Sequence, residues 1–162
     1  MIQQFKNHKP NIDESCYIAP GGMVIGNVTM GSNSSVWHNA VIRGDIERIY
    51  IGQNTNIQDC AVLHCATGIE MTLGDNITVG HSAVLHCKEI GDNTLIGMGA
   101  IILDNVVIGK NCLIGAGAVV TPNTVIPDGQ MVLGSPGKIK RELTSPEIYI
   151  IKHNSVSYVR LA

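Results

Sequence analysis

Ile90-Gly91-Asp92-Asn93-Thr94-Leu95-Ile96-Gly97-Met98-Gly99-Ala100-Ile101-Ile102 opens a stretch in which an aliphatic residue returns at every sixth position, continuing through Ile108, Ile114, Val120 and Ile126 to Val132. A helix repeats near 3.6 residues and an isolated strand merely alternates, so an unbroken period of six marks one small unit used again and again. The same spacing extends toward the N-terminus through Ile12, Ile18, Val24, Met30, Val36 and Ile42, then Ile51, Ile57 and Leu63, then Leu73, Val79 and Leu85. The frame slips three times: three extra residues precede Ile51, four precede Leu73, and one is missing before Ile90. Extra residues in a repeat are expected as loops on one edge.

The residue after the aliphatic one is often glycine, as at Gly52, Gly80, Gly97 and Gly115, and the fourth after it is small, as at Ala61, Ala83, Ala100 and Ala118. This pattern resembles the hexapeptide-repeat family. The resemblance implies an all-β solenoid, a left-handed parallel β-helix, in which three hexapeptides make a triangular coil of about 18 residues, the aliphatic side chains point inward, and coils stack ~4.8 Å apart. Handedness comes from the resemblance alone, because crossovers are ordinarily right-handed and periodicity does not encode the hand. The inward sites make roughly seven coils over residues 12–137. Beyond them Ser145-Pro146-Glu147 reads as N-cap, first-turn proline and first-turn acid, so a closing C-terminal α-helix is expected over residues 146–160. The chain, 1–162, reads as a single domain.

Composition narrows the function classes. With 44% apolar and only 15% charged residues the chain can fill a core, and its few aromatics suit narrow coils better than a helical bundle. The net charge is −2 and the longest basic run is Lys138-Ile139-Lys140-Arg141, so no nucleic-acid or membrane partner is expected and a small-molecule substrate is. The polar stretch from Met1 to Lys9 has no apolar leader core and no run approaches the ~18 residues of a span, which gives a cytoplasmic expectation. Five cysteines without a CxxC pair read as buried thiols in a reducing compartment rather than as disulfides or a thiolate zinc knot.

Following the aliphatic sites round the triangle puts Ile42, Leu63 and Leu85 on one face. Arg43, His64 and His86, one residue on, then form a column on successive coils, with the two imidazoles close enough to share an ion. His81 lies two places after Val79 on the preceding face, in line with Gln58 and Asp59 one coil earlier, and is separated from that column by a side of the triangle. Threefold packing would set His81 of one subunit against His64 and His86 of the next, giving three equivalent sites.

Here the resemblance becomes specific. Ile42-Arg43-Gly44-Asp45, Asn56-Ile57-Gln58-Asp59, Leu63-His64 and Gly80-His81-Ser82-Ala83-Val84-Leu85-His86 resemble the γ-class carbonic anhydrase-like family over nearly the whole chain. The family implies a homotrimer with a metal ion, zinc or alternatively iron or cobalt, held between subunits by His64, His81 and His86. Three neutral imidazoles leave a fourth position for water, whose pKa zinc lowers to ≈ 7, and the reaction so implied is reversible hydration of carbon dioxide to bicarbonate. Gln58 is expected to orient the reacting oxygen, with Asn56 as a helper or as part of a polar ladder. Arg43, Asp45 and Asp59 are expected as interface charges, with Asp59 holding Arg43 or a backbone group, and Tyr158 resembles a family tyrosine near the site.

Other residues have blander readings. His38 is an interface residue, His8 and His153 lie outside the coils, and Cys65 and Cys87 follow ligand histidines but point away from them. The glutamate usual after the Arg-Gly-Asp motif is replaced by Ile46, which leaves Glu47 and Glu70 as substitutes for moving a proton. Two alternatives stay open: an acyltransferase using acetyl-CoA or another acyl-CoA, to which Gly134-Ser135-Pro136-Gly137-Lys138 is also similar, and a noncatalytic metal-binding assembly subunit.

Overall fold

A computed structural model describes residues 1–162. Two-residue strands recur at the aliphatic sites and pair in parallel with the strand one coil away, winding a β-helix of about seven turns closed by a single C-terminal helix. From Val24 to Val132 every aliphatic site lies in one buried core, whereas Ile12 and Ile18, at the open N-terminal end, are only partly covered. Ala40, Ala61, Ala83, Ala100 and Ala118 are fully buried at the turns between faces, which explains why that position accepts no large side chain. At an opposite corner Asn54, Asn76 and Asn93 take positive φ of 55–57°. Asn54 donates to Asn76 and Asn76 to Asn93, so the left-handed turns are stitched together by a ladder of side-chain amides.

The triangle has three distinguishable faces. A helix face carries the strands at 35–36, 56–57, 78–79, 95–96 and 113–114. A histidine face carries 41–43, 62–64, 84–85, 101–102 and 119–120. The third carries 49–51, 71–73, 89–90, 107–108 and 125–126. All three frame slips fall at the corner between the histidine face and the third face. The extra residues before Ile51 make no loop, because strand Val41–Ile51 runs unbroken round that corner and joins the two faces into one twelve-stranded sheet. The four extra residues before Leu73 do bulge out, and Glu47 grips that loop by accepting from Gly68 N at 2.9 Å.

Both ends exceed the 12–137 coil boundaries read from the sequence. Ile2–Gln3 pairs with Val24–Ile25, and Lys138–Glu142 turns back antiparallel on Gln130–Leu133, capping the last coil. Neither segment carries the six-residue signature. The helix runs Ser145–Leu161 and its N-cap is Thr144, one residue before the expected Ser145. Glu147 makes the difference: its carboxylate accepts from the N–H and the hydroxyl of Thr144, both at 2.8 Å, and from both guanidinium arms of Arg141. No helix is long and apolar enough to cross a membrane.

Candidate metal centre

The parallel register places Arg43 beside His64 and Leu63 beside Leu85, so His64 and His86 stack on adjacent coils as the frame requires. Nδ1 of His64 faces Nε2 of His86 at 3.1 Å. Each ring is held from its far side: Nε2 of His64 lies 3.1 Å from Asp45, and Nδ1 of His86 meets Asp104. A carboxylate only accepts, so each aspartate keeps the proton on the nitrogen it faces. The two nitrogens that face one another then both present lone pairs. Such an arrangement is satisfied by a cation between them, and 3.1 Å is close to the roughly 3.3 Å separating two ligands of one tetrahedral zinc at ~2.0–2.1 Å. The donor set therefore fits zinc.

Electrostatics favour the same state. Burial, then the charge of Arg43, lowers the pKa of His64 below its ordinary value although Asp45 pulls the other way. Burial would raise Asp45, but hydrogen bonds from Arg43, at 2.6 Å, and from His64 outweigh it and keep the carboxyl ionised.

His81 projects from the helix-face corner, and within one chain no three His, Cys, Asp or Glu side chains converge on a common point. Its Nδ1 lies 2.9 Å from Asp59, in the equivalent place one coil earlier. Within the chain Arg43 pairs with Asp45 and Asp59 with His81. Beside His81 opens a cleft of about 380 Å³ between the sheet and the C-terminal helix, with Gln58, Thr78, Asn154 and Tyr158 at its polar end. Its floor is flat for a steric reason: a Cβ on Gly80 would lie 2.7 Å from Met98 N in the next coil.

The repeat profile described as Bacterial transferase hexapeptide (six repeats) matches residues 88–128. The chain is 54% identical over 151 residues to a protein named Probable carbonic anhydrase from Methanocaldococcus jannaschii, covering 93% of this chain and 95% of that one. It is 44% identical over 159 residues to the Carbonic anhydrase of Geobacillus kaustophilus, covering 98% and 87%. The chain belongs to the γ-class carbonic anhydrase-like family. Among solved structures, a hexapeptide transferase family protein from Anaplasma phagocytophilum superposes with a TM-score of 0.94 at 33% identity, covering 99% of this chain and 95% of that one.

Family membership makes the placement of the remaining residues informative. Gln58 is buried and donates to Asn56 at 3.1 Å, while Asn56 donates to Thr78, so Asn56 belongs to a polar ladder and braces Gln58 at once. Tyr158 reaches the cleft by packing edge-on against Trp37, with ring centroids 5.4 Å apart, and burial together with nearby Asp59 raises its pKa. His38 binds the Pro20 carbonyl at 3.2 Å and takes no part in the histidine pair. Cys65, Cys87 and Cys112 are buried in the core, where burial pushes the Cys87 thiol up to about 12, but Cys60 is exposed and Cys16 only half-buried, contrary to the buried reading of all five. Asp104 is the site residue that sequence reasoning missed. The signal was there, since residue 104 follows His86 by one coil of 18 residues.

Proposed function

We propose that this protein is a homotrimeric, metal-dependent carbonic anhydrase-like enzyme that interconverts carbon dioxide and bicarbonate. The observation that carries the reading is the pair of lone-pair nitrogens on His64 and His86, 3.1 Å apart and each fixed from behind by an aspartate. His81 of a neighbouring subunit completes the ligand set, presenting the nitrogen that Asp59 leaves free. Zinc, the metal that this donor set suits, makes water acidic enough to supply a hydroxide nucleophile near neutral pH. Gln58 contributes a fixed amide at the cleft: Asn56 accepts one of its two N–H bonds and so holds the group in place, with its carbonyl oxygen available to orient a proton-bearing group. Glu47 is committed to Gly68, which makes it a poor carrier of the released proton.

The trimer has support in the pattern of exposed side chains. The outward positions of the histidine face are Val41, Val62, Val84, Ile101 and Val119, an apolar stripe beside the histidines in which Val62 and Val84 are exposed and the other three half-buried. On the helix face Asn56 and Thr78 are buried where the helix packs, and on the third face the polar Thr72 and Glu89 interrupt an outward row that also carries Tyr50, Val107 and Val125. A continuous, partly exposed apolar stripe alongside an incomplete ligand set fits a second copy.

A second reading, acyl transfer from a coenzyme A thioester, is favoured by the glycine-floored apolar cleft leading to His81 and by the transferase description of a 33% identical relative. Metal analysis of the purified protein, with stopped-flow carbon dioxide hydration and acetyl-coenzyme A binding by calorimetry, separates the two. About one zinc, iron or cobalt ion per chain with hydration activity supports the first; metal-free protein that binds acetyl-coenzyme A supports the second.

A further inference from the structure

We propose that Asp104 is the positioning residue for His86, accepting from its Nδ1–H so that Nε2 is left deprotonated and aimed at the ion shared with His64. The inference rests on the metal-centre reading above and adds to it a residue that touches neither metal nor substrate.

Three observations carry it. First, Asp104 has no other charged partner: its ion-pair contact is His86, whereas Asp45 divides itself between Arg43 and His64. A surface carboxylate held for stability alone would be expected to meet a lysine or arginine. Second, its backbone is fixed before the side chain is considered. His86 N donates to Ile102 O at 2.8 Å, which sets the coil-to-coil register, and Asn123 N donates to Asp104 O at 2.9 Å just before the left-handed turn at Asn105. The carboxylate is thereby delivered under the imidazole. Third, the device occurs three times: Asp45 faces His64, Asp59 faces His81 and Asp104 faces His86, each on the nitrogen away from the one left for a ligand. A carboxylate behind a ligating imidazole fixes its tautomer and raises its basicity.

The test uses full-length protein and two variants, Asp104→Ala and Asp104→Asn. The side chain is about half exposed, so neither substitution opens the core, and melting temperature and oligomer mass serve as controls for folding. In metal-free protein, ¹⁵N shifts of the His86 ring report the tautomer directly: wild type should hold the Nδ1–H form, Asp104→Ala should shift toward Nε2–H, and Asp104→Asn, whose amide oxygen still accepts, should restore it. Zinc affinity by competition with a chromophoric chelator should fall ~10–100-fold in Asp104→Ala and recover in Asp104→Asn. An unchanged tautomer in Asp104→Ala overturns the proposal, and so does unchanged zinc affinity in that variant when the wild type binds zinc. A wild type that holds no zinc sinks the metal reading instead, and the tautomer measurement alone then decides whether Asp104 positions His86.

Discussion

The carboxylate of Asp59 stands 2.9 Å from Nδ1 of His81, one coil away on the same corner, and leaves the other nitrogen of this exposed ring unengaged by it. A histidine braced in this way but isolated from further ligands in its own chain fits the proposed role of ligand to a neighbouring subunit's metal. His81→Ala should therefore leave the His64–His86 pair intact and still remove the metal, because two imidazoles alone hold zinc far more weakly than three. Native mass spectrometry and elemental analysis check this. Full occupancy in the variant would show that His81 is no ligand.

The apolar stripe on the histidine face makes a separate prediction about assembly. Val84 lies outward on that stripe, so Val84→Glu should leave the coil core untouched while burying a charge in the subunit contact. Light scattering should move from about three chain masses of 17.3 kDa toward one, with unchanged far-ultraviolet circular dichroism and a loss of bound metal. A stable trimer in this variant would place the contact on another face.

The helix cap has a signed pH dependence. Hydrogen bonds from Arg141, then from Thr144, drive the Glu147 carboxyl far below its ordinary value near 4.5. A depressed carboxyl adds stability that is present above the unfolded pKa and lost as pH falls through the folded one. Glu147→Gln should thus melt at a lower temperature than wild type at pH 7, and the gap should narrow as pH drops below about 4.5. A gap independent of pH would mean that the cap works through shape alone.

How much of this was legible in the sequence follows from what each feature depends on. The coils were readable because every sixth side chain from Val24 onward must fit one shared core, and a requirement repeated that often leaves a visible trace. The His64–His86 column followed from the same frame. The strand Ile2–Gln3 and the antiparallel segment Lys138–Glu142 were not readable, because they pair through backbone groups, and Lys138–Glu142 is exposed throughout. The contact of Asp59 with His81 was not readable, because the frame gives the corner a residue occupies but not its rotamer. Asp104 is hard to read because a lone carboxylate 18 residues beyond His86 carries no signature of its own until the coils are stacked.

Gln58 offers the most demanding prediction, since it separates an enzyme from a metal-bound scaffold. Its side chain is almost wholly buried, its amide nitrogen is tied to Asn56 at 3.1 Å, and it lines the cleft that also holds His81 and Tyr158. Because one N–H is tied to Asn56, the plane of the amide is fixed, and its carbonyl oxygen and second N–H are held in set directions toward a reacting group. Gln58→Ala should keep metal content and trimer mass at wild-type values, since Gln58 is not a ligand, while stopped-flow hydration falls ~10–100-fold. Gln58→Glu keeps the oxygen and loses the donor to Asn56, so it should retain more activity than Gln58→Ala if orientation through the oxygen matters. Equal rates in all three proteins would reduce Gln58 to a rung of the Asn56–Thr78 ladder. A metal-replete wild type without hydration activity would mean that Ile46 and the Glu47–Gly68 contact leave the released proton no route out, and the metal centre would then need a different substrate.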